Sequence, residues 1–137
     1  MLNVKRTPSE GVRCAESVSI APVSERGARA RESEKDLEAA LVSGVKKRGG
    51  LAVKLTSQFH RGLPDRLVCL PYRTVCFAEI KSTGKKRTAL QEVAASQLET
   101  LGFRVFVIDS SETLWEFFRR LDKRIARIEK LAGIHEV

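Results

Sequence analysis

Cysteine, histidine and acidic residues are all scarce in this chain, and each shortage removes a class of explanation. Three cysteines (Cys14, Cys69 and Cys76) leave one unpaired in any disulfide scheme. A disulfide scaffold is therefore not expected, and free thiols are. The two histidines, His60 and His135, cannot assemble a zinc-type cluster with those cysteines. No apolar run approaches the roughly 20 residues that a membrane span requires. Nor does the N-terminal region carry the continuous apolar stretch of an export signal. A cytosolic protein without a membrane partner is the expectation. The acids, at 17 against 25 Lys and Arg, leave a net charge of +8 and a pI near 9.8. Such a balance favours polyanionic partners, nucleic acid first. With 137 residues, 42% of them hydrophobic, the chain can bury the core of one ordinary domain.

Residues 1–32 carry Pro8, Pro22, Gly11 and Gly27 among many Ser, Arg and Glu, with no sustained period. They read as a disordered or loosely attached arm. Six basic and four acidic residues make it a poor polybasic tail. From Ser33 the pattern sharpens. Ser33 caps a predicted helix over 34–47 with Asp36 in its first turn, and Gly49-Gly50 ends it. Leu51–Thr56 reads as a strand and 57–63 as a loop. Asp65–Leu70 and Val75–Lys81 read as strands of a hairpin around Pro71-Tyr72-Arg73-Thr74. Thr88, with Gln91 three residues on, opens a helix that Gly102 closes. Phe103–Ile108 is an apolar strand of the buried kind, and Ser111 begins a last helix running to about Leu131. A helix between the Val75 and Phe103 strands predicts that those two lie parallel.

Chemistry concentrates where charge interrupts this apolar pattern. Glu79 and Lys81 end a strand whose other residues ask for burial, and alternation points both to one side. An isolated Glu-x-Lys is compatible with a structural pair. The hairpin, however, brings Asp65 of Gly62-Leu63-Pro64-Asp65 beside Glu79. Two neighbouring carboxylates repel unless a proton or a cation lies between them. Oxygen-only ligands suit Mg²⁺ or Mn²⁺. On the first helix Glu38 and Glu34 fall within the apolar arc of Leu37, Leu41, Val42 and Val45. An acid there is unusual for a helix built only to pack, although Glu34 also suits the helix dipole.

An acid on the first helix, Pro64-Asp65 before one strand and Glu79-Ile80-Lys81 on the next resemble the PD-(D/E)xK nuclease arrangement. The fuller string, from Gly62-Leu63-Pro64-Asp65-Arg66 through Phe77-Ala78-Glu79-Ile80-Lys81 to Leu90-Gln91, is similar to the virus-type replication-repair nuclease (VRR-NUC) domain. The likeness is to its stand-alone phage and prophage versions and covers residues 33–110. It implies a restriction-endonuclease-like α/β core, α-β-β-β-α-β with a mixed four-stranded sheet, followed by the C-terminal amphipathic helix and tail over 111–137. It further implies a metal-dependent DNA endonuclease in the cytoplasm of a bacterial or phage-infected cell. Asp65 and Glu79 would hold Mg²⁺ or Mn²⁺ with the backbone carbonyl of Ile80, Glu38 completing the site directly or through water. Lys81 would orient or deprotonate the attacking water. Gln91 would help position the site, although Thr88-x-x-Gln91 is equally a capping box. The stand-alone relatives imply structure-selective cutting of Holliday junctions or other branched DNA during phage replication, recombination or repair, for which a homodimer suits two-fold junctions. A non-cleaving nucleic-acid-binding module on the same fold, or an RNA nuclease, are the alternatives.

Lys85, Lys86 and Arg87, directly after Lys81, together with Arg61 and Arg66, are the expected phosphate contacts, as is the Lys46-Lys47-Arg48 run. Lys and Arg grip phosphates without reading bases, which suits a backbone or shape reader. In the last helix Leu114, Phe118, Leu121, Ile125, Ile128 and Ala132 follow 4-3-4-3-4 spacing between basic faces. That seam serves packing on the chain's own sheet, a dimer contact or a second DNA-binding face.

Overall fold

The computed structural model describes residues 31–56 and 58–133. The expected arm over 1–32 therefore lies outside the described residues except for its last two positions, as do tail residues 134–137. The first helix, α1 (Glu34–Lys47), forms because Ser33 accepts a hydrogen bond from the Asp36 amide and acids and bases occupy opposite ends. Its buried stripe is Leu37, Leu41 and Val45, one residue per turn. Gly49, at φ +73°, supplies the left-handed exit. There follow β1 (Leu51–Lys54), β2 (Arg66–Leu70), β3 (Thr74–Ile80), α2 (Ala89–Thr100), β4 (Arg104–Ile108) and α3 (Ser111–Leu131). This is the predicted order of elements. The first strand ends two residues early, yet the Leu55 amide still donates to the Asp65 carbonyl at 2.8 Å. Among the described residues no helix is long and apolar enough to cross a membrane.

The four strands lie in the order β1-β2-β3-β4. The first two pairings are antiparallel and β3 pairs with β4 in parallel, as the helical crossover predicts. Val68, Cys76, Ala78 and Ile80 share one face and are buried against Leu37, Leu41 and Val45 of α1 and Phe117 and Leu121 of α3. Helix α2 packs on β4 without joining that cluster, so it covers the other face, burying Ala94 and Ala95. Leu51 and Val53, on the opposite edge strand β1, stay exposed. β4 is an edge strand and is only partly buried, which corrects the expectation of a fully buried apolar strand. Cys69 and Cys76 are free thiols on opposite faces of β2–β3, as alternation requires.

The 4-3 seam of α3 is used inside the fold. Leu121 is buried, and Leu114, Phe118 and Ile125 pack against the core cluster. Phe117, off that seam, is the more deeply buried aromatic, meeting Phe106 edge-on at 5.1 Å and contributing about 1.5 to 3 kcal/mol through burial. Arg48 fastens α1 to α3 by two bonds to Asp122, at 2.7 and 3.0 Å, while its guanidinium stacks 4.0 Å from the Phe118 ring. Arg48 is thus a structural clamp rather than a phosphate contact.

The β2–β3 hairpin turns through Tyr72 and Arg73 at φ 60° and 57°, a region costly for residues with a Cβ. Replacing Arg73 by Gly keeps the Tyr72–Glu129 hydrogen bond of 3.1 Å and removes one strained residue. Arg73→Gly is expected to raise stability by up to about 1 kcal/mol, read as a higher urea midpoint with unchanged slope.

Candidate active site

Asp65 sits at the entrance to β2, and three local features fix it. Pro64, buried, presets the backbone before it. Gly62, at φ +87°, lies so close to α2 that a Cβ would stand 2.5 Å from the Leu90 carbonyl. No side chain fits there, so the loop rests directly on the first turn of α2. The Asp65 carboxylate then reaches across to accept the Ile80 amide at 2.7 Å. Strand geometry turns the carbonyl of Ile80 toward the same edge as its amide.

The register that sets Arg66 opposite Ala78 places Asp65 opposite Glu79, one step further. Glu79 is 1% exposed, and its Oε1 has no hydrogen-bond donor among the described residues. The nearest cation is the Lys81 ammonium, 3.7 Å from that oxygen and itself mostly buried. Burial is the largest influence on the Glu79 carboxyl and raises its pKa. Lys81 opposes this, the Asp65 charge reinforces it, and Arg87 opposes it again, with a net upward shift. Arg87 is held by Glu92 at 3.2 Å and keeps one buried guanidinium nitrogen, Nη1, without a partner.

The remaining expected residues divide. Lys85, Lys86 and Arg61 are exposed, free to meet a large ligand. Glu38 does not join Asp65 and Glu79. Its Oε1 accepts from Arg66 at 3.0 and 2.8 Å, with Lys54 at 3.7 Å, on the α1 side of the sheet. Arg66, bound to Glu38 and to the Ala52 carbonyl at 3.1 Å, is correspondingly turned away from solvent. Gln91 closes the capping box: its Oε1 accepts the Thr88 amide at 2.9 Å. Glu34 accepts both the amide and the hydroxyl of Ser82 at 2.8 Å, and those bonds lower its pKa. It thereby ties α1 to the residue after Lys81. Sequence reasoning missed the parts played by Ser82 and Glu92. The only signal was their adjacency to the Lys81–Arg87 segment.

Among the described residues no three His, Cys, Asp or Glu side chains converge as a metal cluster. The fit for a divalent cation rests on two carboxylates instead. A buried oxygen with no donor beside a second carboxylate is the donor set Mg²⁺ accepts, since it commonly takes one or two carboxylates and keeps water. The residues fit.

No family model matches the chain. A phage protein named "Putative nuclease p44", from Acyrthosiphon pisum secondary endosymbiont phage 1, is 44% identical over 79 residues, spanning 58% of this chain and 85% of the relative. A solved structure titled "VRR_NUC domain" superposes with a TM-score of 0.60 at 26% identity, covering 63% of this chain and 94% of the other. The chain belongs to the VRR-NUC nuclease family. Its mixed four-stranded sheet and flanking helices are the VRR-NUC version of the PD-(D/E)xK-like fold, and nuclease activity on nucleic acid is the family's chemistry.

The buried carboxylate of this VRR-NUC chain has a measurable consequence. A carboxyl whose pKa is raised by folding keeps its proton in the native state while the unfolded chain loses it. Stability without metal is therefore undiminished below the unfolded value of about 4.3, falls as pH rises past it, and is fully reduced above the folded value. Glu79→Gln is expected to flatten this fall and to stabilise the metal-free protein at neutral pH by about 1 to 3 kcal/mol. Thermal unfolding in EDTA across pH checks it. Mg²⁺ should raise the wild-type midpoint and leave the variant's unchanged.

Proposed function

We propose that this nuclease is a divalent-metal-dependent endonuclease that hydrolyses DNA phosphodiesters at branched structures, Holliday junctions among them. The observation that carries the reading is the buried Glu79 oxygen without a donor, flanked by Asp65 and Lys81. Asp65, Glu79 and the carbonyl of Ile80 would hold Mg²⁺ or Mn²⁺. When bound, the cation would lower the pKa of water and neutralise charge at the phosphate. Lys81 would donate to the scissile phosphate or take the proton of the attacking water, since its ammonium is anchored beside Glu79 and shielded from bulk solvent. Arg87, whose charge is felt at Glu79 and whose side chain is partly exposed, would offer its guanidinium to a phosphate oxygen at the same place. Lys85, Lys86 and Arg61, all exposed, would grip the flanking backbone.

Glu38 and Gln91 take supporting roles in this reading. Glu38 pins Arg66 at the start of β2, adjacent to Asp65, and Gln91 fixes the first turn of α2 against which Gly62 rests. The Gly62 contact makes the geometry of Asp65 depend on α2. The branched-DNA preference, the phage role and a dimeric active form are carried by the family likeness. The cytoplasm of a bacterial or phage-infected cell is the matching location.

The test is cleavage of labelled four-way junction, flap, linear duplex and RNA by wild type, Asp65→Ala, Lys81→Ala and Arg87→Ala, each in Mg²⁺, Mn²⁺ or EDTA. Metal-dependent cutting is expected, reduced by about 10² or more in Asp65→Ala and Lys81→Ala and by a smaller factor in Arg87→Ala. Junctions should be cut in preference to linear duplex. Wild type that binds junctions and cuts nothing in either metal would defeat the hydrolytic reading.

A further inference from the structure

The far end of the sheet carries a second basic feature that the catalytic reading does not use. A cavity of about 610 Å³ opens between the C-terminal half of α3 and the beginnings of β3 and β4. Five cations line it, Arg104, Arg120, Lys123, Arg124 and Arg127, and no carboxylate does. Of these Arg120 is bonded to Glu116, and Arg104 leans toward the Phe106 ring, 5.7 Å from its centroid. Arg124 and Arg127 have no ion-pair partner among the described residues, and both are exposed. Glu116 is paired with Arg119 and Arg120, and Glu129 accepts from the Tyr72 hydroxyl.

The wall of this cavity includes a buried polar group. Thr74 is 2% exposed, lines the cavity, and its hydroxyl has no hydrogen-bond partner among the described residues. Beside it on the same face, the Cys76 thiol is pushed up to about 12 by burial. The charges of Arg104 and Arg124 both pull the other way, so their field reaches the cavity floor.

Position distinguishes this cavity from the active site. Thr74 begins β3 and Glu79 nearly ends it, five residues apart, or about 17 Å at the rise of a strand. Thr74 and Cys76 face α3, whereas Glu79 faces the α2 side. A straight duplex seated at Glu79 on one face does not reach the opposite face at the other end of the strand. A second arm leaving a branch point does.

We propose that the α3–β3–β4 groove binds the phosphodiester backbone of a second nucleic-acid arm, separate from the strand held at Asp65 and Glu79. The assignment rests on the branched-DNA reading above and supplies its physical basis, two phosphate-gripping surfaces on opposite faces of one small sheet. Arg124 and Arg127 neutralise phosphates directly, Arg104 adds a guanidinium beside the apolar wall, and no base edge is read.

Full-length wild type and the double variant Arg124→Ala/Arg127→Ala should be titrated, in EDTA, with a four-way junction and a linear duplex of equal length over a range of salt. The expected result is a loss of about tenfold or more in junction affinity. The log–log salt slope should become shallower by about 2, since each phosphate no longer neutralised takes away roughly 0.9. Duplex affinity should change little, and the thermal midpoint not at all, because both side chains are exposed. Unchanged junction affinity and slope would overturn the proposal. So would an equal loss on duplex, or displacement of the junction by polyglutamate as readily as by unlabelled DNA. Binding in EDTA does not require cutting. A wild type that binds in this groove-dependent way yet never cleaves defeats only the hydrolytic reading, whereas cleavage with groove-independent binding defeats only this one.

Discussion

Glu79 occupies a position on β3 where the sheet would accept an apolar residue without strain, and it brings a carboxylate into the interior instead. Its burial, the neighbouring Asp65 charge and the lack of a donor at Oε1 all act against the ionised form. Lys81 at 3.7 Å offsets part of this and no more. The fold therefore holds a local destabilisation that other contacts must support. They do so from several directions: Asp65 is tied to the Ile80 amide, its loop rests on α2 through Gly62, and Glu34 secures Ser82 just past Lys81. Each of these contacts joins segments far apart in sequence around one buried charge.

The two faces of the sheet divide the work. On the α1–α3 face an apolar cluster from Leu37 to Leu121 supplies most of the burial, reinforced by the Arg48–Asp122 clamp. On the other face the short α2 covers the β3–β4 side and leaves β1 exposed. Covering both faces fully would add stability and close the approach to Glu79.

Much of this was legible in the sequence because it is local. Ser33 and Thr88 are caps whose partners lie three residues away, so those helix starts follow from spacing alone. Alternation along β3 put Glu79 and Lys81 on one side and separated Cys69 from Cys76. Gln91 was ambiguous for the same reason: the side chain that closes a capping box also suits a site residue, and only its bond to the Thr88 amide shows which atoms it meets. What could not be read was the identity of distant partners. Glu38 lies on the apolar arc of α1 and was expected at the metal. Arg66, 28 residues on, takes its carboxylate instead. Arg48 ends a basic run that suggested phosphate binding, and Asp122, 74 residues on, claims it. The 4-3 spacing of α3 fits packing on the chain's own sheet, the use the structure shows, but a coiled-coil seam shares that period, and Phe117, the most buried aromatic, falls outside it.

These reassignments sharpen where selectivity can come from. With Arg48 and Arg66 held by Asp122 and Glu38, two groups of cations stand out. One, around Lys85, Lys86, Arg87 and Arg61, adjoins the buried carboxylate; the other, around Arg124 and Arg127, lies across the sheet. Both groups consist of Lys and Arg, the side chains that most often grip phosphates. In the proposed reading, such a surface would discriminate by the spacing and direction of phosphate backbones. The rigidity of β3, paired on both sides, is what would keep the two groups at a fixed separation.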